Sequence, residues 1–315
     1  MDVTVIVTAY NVEAFIDDAI ESVVRAIHND ENIKVLIIDD GSDDGTWEKI
    51  SKWKKASNAR IIRQQRIGLG AARNLGMGLA HSEYVMFLDG DDYLSDYWWV
   101  YIDKIVKHKK PDMIVFKWQS VYENGDFRDG PYALPTIDHM SIACWNKVYK
   151  TKVAKRFAFP EDVYFEDSGF SLLVWEAADA IEYLPNVLYS HRHRIGSISR
   201  KKLEFEHNMG VLKGLADALS FQAKIRVEIK NVAVEMIFSR LMNSLENHHT
   251  VTKNQMSELR NFYREYKLYI FHFDKGVKHF FKHLLMNACI EFKLHRIINV
   301  LFSTSIIYSE GRDDS

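Results

Sequence analysis

Cysteine is nearly absent: the 315 residues contain two, Cys144 and Cys289. Two thiols so far apart supply neither a disulfide framework nor a cysteine-built zinc site, and they fit a reducing cytoplasm. Charge of one sign is also missing. The 41 Lys and Arg stand against 43 Asp and Glu, a formal net charge of −2, so the chain as a whole is no polyanion binder and no nucleic-acid partner is expected. No apolar run reaches the ~18 residues that a spanning helix needs. The residues after Met1 and Asp2 read VTVIV, a strand rather than the basic segment and apolar core of a signal peptide. Internal repeats and low-complexity linkers are absent as well. What is there is ordinary for a globular protein, 47% hydrophobic and 27% charged, which excludes global disorder. The length suits one large domain, or one domain with a smaller appendage.

Two periodicities alternate through the first half. Val3 to Val7, Ile33 to Ile38, Tyr84 to Leu88 and Met113 to Trp118 are short apolar runs that read as buried strands, with a further short strand at Arg60 to Arg63. Between them, Val12, Ile16, Ala19, Ile20, Val23, Val24 and Ile27 fall at helical spacing, with Asn11 placed to cap that helix. Trp47, Ile50 and Trp53 mark a second helix and Leu69 to Ala80 a third. The alternation predicts an α/β fold: a mostly parallel sheet with helices on both faces. From about Gln119 to Arg194 the pattern changes, and VYENGDFR carries an Asn-Gly hairpin signal. From about Lys202 the chain reads as helical, and Lys202 to His248 contains no Pro to break a helix. The expected division is a domain over 1–200, with halves 1–118 and 119–200, followed by a helical region over 201–315.

Ligands of an open parallel sheet bind beyond the carboxyl ends of its strands. The first strand ends in Thr8-Ala9-Tyr10-Asn11, the second in Asp39-Asp40-Gly41-Ser42-Asp43-Asp44-Gly45, and YVMFL runs into Asp89-Gly90-Asp91-Asp92. Asp, Gly and Asn are also what turns are made of. Two acidic loops at the ends of buried strands nevertheless favour a shared site. Carboxylates so dense raise each other's pKa unless a cation sits among them. Asp89-x-Asp91 offers hard oxygens suited to Mg²⁺ or Mn²⁺, ions that bind substrate phosphates as well, which points to a diphosphate ligand.

Taken in order and at their spacings, Thr-Ala-Tyr-Asn, Asp-Asp-Gly-Ser-x-Asp-Gly, Gly-x-x-x-Ala-Arg-Asn and Asp-Gly-Asp-Asp resemble the nucleotide-binding half of the family 2 inverting glycosyltransferases of GT-A fold, over residues 2 to about 200. Thr8 stands where the family usually has Pro. The resemblance implies a UDP-sugar donor and a saccharide or lipid-linked saccharide acceptor, with work in bacterial surface glycan synthesis. It implies that Thr8 and Tyr10 line the nucleotide base and that Asp40 accepts from a base N–H. Arg73 would approach the nucleotide or its phosphates, and Asp89 the ribose and metal. Asp91 would hold the metal, and Asp92 would lie near the donor sugar or the metal's water shell. In Tyr164-Phe165-Glu166-Asp167-Ser168, Asp167 is implied as the base that deprotonates the acceptor and Glu166 as its neighbour. The alternative for both is a helix N-terminus stabilised by acids. In Tyr189-Ser190-His191-Arg192-His193-Arg194, the two arginines, Arg192 and Arg194, are candidates to neutralise the departing diphosphate. One of the two histidines there could join the metal, though an ordinary packing role is the commoner one. Trp145, Asn146 and Lys147 are candidates to border the acceptor pocket, and a buried core tryptophan is the equal alternative.

Other readings are weaker. Gly68-Leu69-Gly70 is not a dinucleotide loop, because Arg73 takes the third glycine position and the first strand ends in TAYN; the glycines suit a tight turn and close helix packing instead. A sugar nucleotidyltransferase needs a Gly-rich basic loop after the first strand, and none is present. A catalytically inactive glycan-binding or assembly module on the same fold is opposed by the retained acids and basic loop. Near the C-terminus, residues 275–307 interleave Phe280, Phe281, Leu284, Leu285, Ala288 and Phe292 with Lys278, Lys282, His283, Lys293, His295 and Arg296. Such a stripe suits packing on the catalytic domain, a homo-oligomer contact, or a peripheral contact with the inner face of the plasma membrane.

Overall fold

All seven residues of β1 (Val3–Ala9) are buried, so both faces of this strand are covered. The structure, a computed structural model, describes residues 2–27, 32–55, 58–132, 143–161 and 166–194, with isolated positions 209, 214, 257, 258 and 261. β1 pairs in parallel with β2 (Ile33–Asp39) and with β4 (Tyr84–Asp89). β2 pairs in parallel with β3 (Ala59–Arg63). Alternate residues of β1 serve different faces. Val3, Val5 and Val7 join one apolar cluster with Ile16, Ala19, Ile20 and Val23 of α1 (Ile16–Ile27) and Trp98, Ile102 and Val106 of α4 (Trp98–Lys109). Ile6 points the other way, onto α3 (Leu69–Leu79), where a Cβ on Gly76 would lie 2.4 Å from its Cγ2. On that same face Phe87 of β4 meets Phe159 and Phe170, the latter on α6 (Asp167–Ala177). Each large side chain so enclosed contributes roughly 1.5–3 kcal/mol.

Beyond β4 the sheet becomes mixed. β8 (Lys147–Lys150) runs antiparallel between β4 and β6 (Met113–Tyr122). β6 pairs in parallel along its whole length with β9 (Ile181–His193), which also takes the two-residue β5 (Tyr93–Leu94) at its far edge. β9 fills one edge of β6, so β8 and then β7 (Phe127–Tyr132) share the other. The parallel expectation therefore holds for β3-β2-β1-β4 and for β6-β9. It fails at β8, whose four residues KVYK show no alternation that could set them apart. The expected hairpin forms: Tyr122 N–H donates to Asp126 O (2.8 Å), and Gly125 takes φ +90° between them. α2 (Thr46–Ser51) continues into a 3₁₀ turn over Lys52–Lys55, and α5 (Thr151–Ala154) is a single turn after β8.

Asn11 does not cap α1, which begins five residues later. Its φ of +50° turns the chain, and its amide clips the neighbouring loop instead, donating to Asp43 Oδ1 (2.6 Å) and accepting from Asp43 N–H (3.0 Å). Among the described residues no helix is long and apolar enough to cross a membrane. The expected helical region over 201–315, and with it the stripe at 275–307, lies outside the described residues apart from the isolated positions above.

Candidate active site

The ends of β1, β2 and β4 are laced together by their own backbone. Asp40 N–H donates to Ala9 O (2.8 Å) and Gly90 N–H to Thr8 O (2.9 Å). Gly90 permits this approach, since a Cβ there would stand 2.9 Å from Thr8 O. The Thr8 hydroxyl, itself buried, reaches Asp89 Oδ1 at 3.4 Å. Asp40 is buried too, and its carboxylate gathers the loop after β3. It accepts from Gln64 Nε2 (2.6 Å), Ile67 N–H (3.0 Å) and Gly68 N–H (2.9 Å). That loop carries Arg66, whose guanidinium carbon lies 4.0 Å from the centre of the Tyr10 ring, a cation–π contact. Arg66 thus covers a face of the ring that the resemblance assigns to the base. Sequence reasoning passed over it, because nothing in its spacing marks it; only the loop braced by Asp40 brings it there.

Arg73 is the centre of the site. It is 1% exposed. Its guanidinium donates to Asp89 Oδ1 (2.7 Å) and to Glu166 Oε1, joining the end of β4 to the start of α6. The neighbouring Asn74 holds the loop before α6, accepting from Phe159 N–H (2.8 Å) and donating to Phe159 O (2.9 Å). Gly70 completes the approach of α3: a Cβ there would stand 2.2 Å from Pro160 O. The Ala-Arg-Asn segment therefore joins two halves of the site, and Arg73 lies beneath two carboxylates rather than open toward a ligand. Glu166 precedes the first residue of α6, yet its side chain makes no capping bond. Burial pushes its carboxyl up, Arg73 opposes this, and the balance leaves it at about 7. Asp167 is half-buried and accepts from Cys144 N–H at 3.3 Å. Burial raises its pKa, with Arg73 pulling the other way. Glu161 is exposed, as a solvated loop charge should be, and Asp162 lies outside the described residues.

The three aspartates after β4 separate. Asp89 faces Arg73. Asp91 accepts from Arg194 Nε at 2.6 Å. Burial, then Asp92, raise its pKa to about 6, while Arg194 lowers it. Asp92 is fully buried and holds β9. It accepts from the Tyr189 hydroxyl (2.6 Å), Arg192 N–H (2.7 Å) and His191 Nδ1 (3.1 Å). Asp92 is expected near the donor sugar or the metal's water shell; in the structure its carboxylate is engaged by the strand beneath. Arg192 is engaged likewise. Its guanidinium is locked to Asp18 Oδ2 (2.8 Å), Glu123 O (2.6 Å) and Asp91 O (3.0 Å), over the rings of Phe15 and Tyr93. It ties α1, the hairpin and the acidic loop together, and of the two arginines only Arg194 meets a carboxylate of the Asp89–Asp92 loop through its side chain. Burial works against charge on His191, but Asp92 outweighs it and pushes the imidazole up to about 9. Its ring stacks on Trp145 (5.4 Å, 14°), which stacks in turn on Tyr189 (4.4 Å, 17°). Trp145 belongs to the apolar core, and His191 packs against it.

A divalent cation can be tested against this donor set. Among the described residues no three His, Cys, Asp or Glu side chains gather into a ready-made cage. A carboxylate whose own negative neighbours hold its pKa up is one that gains from an added cation. Mg²⁺ and Mn²⁺ ordinarily take one or two carboxylates and complete their shell with phosphates and water. Asp91 fits that role. Asp89 fits less fully, because one of its oxygens already serves Arg73.

An α/β sheet with acids at two strand ends, joined by a buried arginine to an acidic helix start, is the arrangement that the resemblance to the GT-A glycosyltransferases implied. The family model "Glycosyl transferase family 2" matches residues 4–173, and the chain belongs to that family. It is 28% identical over 220 residues to the glycosyltransferase GlyA of Streptococcus pneumoniae, covering 63% of this chain and 31% of GlyA. It is 27% identical to the uncharacterised glycosyltransferase EpsJ of Bacillus subtilis, covering 62% of each. The chain thus spans less than two thirds of the length of these two relatives. WfaP of Escherichia coli, a UDP-Glc:α-D-GlcNAc-diphosphoundecaprenol β-1,3-glucosyltransferase, is 27% identical over 226 residues, 68% of this chain and 86% of WfaP. The crystal structure of Staphylococcus aureus TarS 1–349 in complex with UDP-GlcNAc superposes with a TM-score of 0.70 at 21% identity, over 86% of this chain and 82% of that one. The shared fold is the expected one.

Proposed function

We propose that this glycosyltransferase moves a sugar from a UDP-sugar to an acceptor hydroxyl with inversion, using Mg²⁺ or Mn²⁺, in the synthesis of a bacterial surface glycan. The observation that carries the reading is the Arg73 bridge. It sets the donor edge, where Thr8, Tyr10, Asp40 and Asp89 converge, directly against the start of α6, where Asp167 stands. The name of WfaP supports the choice of donor nucleotide and of a lipid-linked saccharide acceptor. Asp91, with Asp89 beside it, would hold the cation, which when bound would neutralise charge on the departing diphosphate. Arg194 adds a second positive charge there. Tyr10 and Arg66 form the wall against the base, and Asp40 fixes the loop that carries Arg66. Asp167 takes the proton of the acceptor hydroxyl as it attacks, while Glu166 and Arg73 hold the helix start in place. Residues 275–307 are proposed to contact an anionic membrane, where a lipid-linked acceptor lives. UDP release from a panel of UDP-sugars, with and without acceptor, tests the central reading. Release from none of them, or equal release by Asp167→Asn in the presence of acceptor, would sink it.

A further inference from the structure

Lys147 is a buried ionisable group that the mechanism above leaves unused. It is 0% exposed, at the first position of β8 between β4 and β6. A lysine is enclosed at such cost only when its ammonium is hydrogen-bonded. Here Nζ donates to Ala143 O (2.6 Å) and to Asn146 Oδ1 (2.7 Å). The ammonium therefore closes the turn that runs from 143 to 147. Three more bonds fix that turn to the sheet and its far strand. Asn146 Nδ2 donates to Phe116 O (3.1 Å), Phe116 N–H donates to Asn146 O (3.2 Å), and the Tyr149 hydroxyl donates to Cys144 O (3.0 Å). What the turn presents outward is the Cys144 N–H, and that N–H donates to Asp167 Oδ2. A chain of contacts thus leads from the Lys147 ammonium through the turn to the carboxylate at the head of α6.

We propose that Lys147 is a positioning residue for Asp167: by closing the 143–147 turn it aims the Cys144 N–H at the carboxylate. This rests on the reading of Asp167 as the base. Glu166, the residue before it, sets its own negative charge against that of Asp167. Arg73 and Lys147 favour its ionised form, Asp89 opposes it, and the Cys144 N–H favours it. Lys147 itself faces Cys144 and Asp167, and burial brings its pKa down to about 7. Its charge is therefore present below about pH 7 and fades above.

The test uses the full chain with Lys147→Met, which keeps length and apolar bulk, Lys147→Arg, which keeps charge, Asp167→Asn, and the Lys147→Met/Asp167→Asn double variant. Each is checked for folding by thermal melting. UDP-donor affinity is measured by calorimetry, and transfer is measured as kcat against pH. Lys147→Met is expected to lower kcat about tenfold or more with donor affinity unchanged. Its acid limb should move up by about one pH unit, and its difference from wild type should shrink above neutrality. Lys147→Arg should restore part of the loss. The double variant should be no slower than Asp167→Asn alone, as for two residues acting as one unit. If Asp167→Asn is slow but Lys147→Met matches wild type, or the two losses simply multiply, the positioning role is overturned while the base survives. If Asp167→Asn transfers normally, the base reading falls and this inference falls with it.

Discussion

Replacing Arg73 with Met removes one buried cation from between two carboxylates while keeping most of the side chain's volume. Glu166 is 6% exposed and cannot recover its lost partner from water. Breaking a buried ion pair from one side ordinarily costs about 3–5 kcal/mol. At about 2–4 °C per kcal/mol for a domain of this size, the melting temperature should fall by roughly 10 °C. Glu166 can limit the loss by taking a proton, which makes the loss depend on pH. Its folded pKa of about 7 lies above the ordinary 4.5. A carboxyl shifted in that direction contributes stability that is fully present below the ordinary value and is lost as pH rises through the folded one. Without Arg73 the folded pKa rises further. The gap between wild type and variant should therefore be narrow near pH 5, where Glu166 is neutral in both, and wide near pH 8. Differential scanning calorimetry at the two pH values measures this directly. Adding Glu166→Gln to the variant should recover much of the loss at the higher pH, since the stranded charge is then gone. A gap of equal size at both pH values, or a wider one in acid, would refute the electrostatic account of the bridge. A rescue that fails would refute the assignment of the cost to Glu166.

Asp91→Ala should abolish turnover with little change in melting temperature, and excess EDTA should do the same to the wild type; full activity under either condition would remove the metal from the mechanism. Asp92→Asn should destabilise by about 1–3 kcal/mol, the worth of a hydrogen bond to a charged group. Because His191 is raised to about 9 by Asp92, the His191 share of this loss should be complete at and below the ordinary histidine value of 6.5 and should close as pH rises through about 9, readable from denaturation at several pH values. Gly70→Ala should lower stability and transfer together, because its methyl would overlap Pro160 O and push α3 away from the loop before α6; unchanged melting would show that this loop yields freely.

Elements that announce themselves by period were legible in the sequence. α1 puts Ile16, Ala19, Ile20 and Val23 on one buried face, and β1, β2 and β4 are unbroken apolar runs. The acidic strand ends were legible for the same reason, since a run of buried residues followed by Asp and Gly marks where the sheet stops. β8 was not, being four residues with no alternation, and neither was α4, whose face against the core is built from Trp98, Ile102 and Val106 behind exposed Tyr97 and Val100. The harder failure concerns side-chain direction. His191, Arg192, His193 and Arg194 are consecutive, and sequence cannot tell which pair meets the acidic loop. The pleat alone does not decide it, because positions 192 and 194 share one face of a strand yet part company here, Arg194 lying one residue past the end of β9 and meeting Asp91. Arg192 is drawn beneath toward Asp18 and Glu123, while His191 goes with Trp145. Arg66 shows the converse, a residue with no pattern of its own that an aspartate's bonds carry to the Tyr10 ring.

Asp89, Asp91 and Asp92 illustrate why residue type and spacing alone could not assign these roles. Three carboxylates within four residues cannot all be ionised in one dry place without separate sources of positive charge or hydrogen bonds. The fold provides three. Asp89 takes Arg73 from the helix that follows β3, and Asp91 takes Arg194 from the end of β9. Asp92 takes a hydroxyl, a backbone N–H and a protonated imidazole, all from β9. Only the second of these is a lone side-chain contact at the end of its strand; the other two are enclosed in networks that also hold the sheet or α6. A ligand cation can therefore exchange with Arg194 at Asp91 without unlocking the scaffold, whereas competing with Arg73 or with the Asp92 network would loosen α6 or β9. That difference in what each aspartate supports, rather than its place in an Asp-x-Asp pattern, is the physical reason for proposing the cation at Asp91.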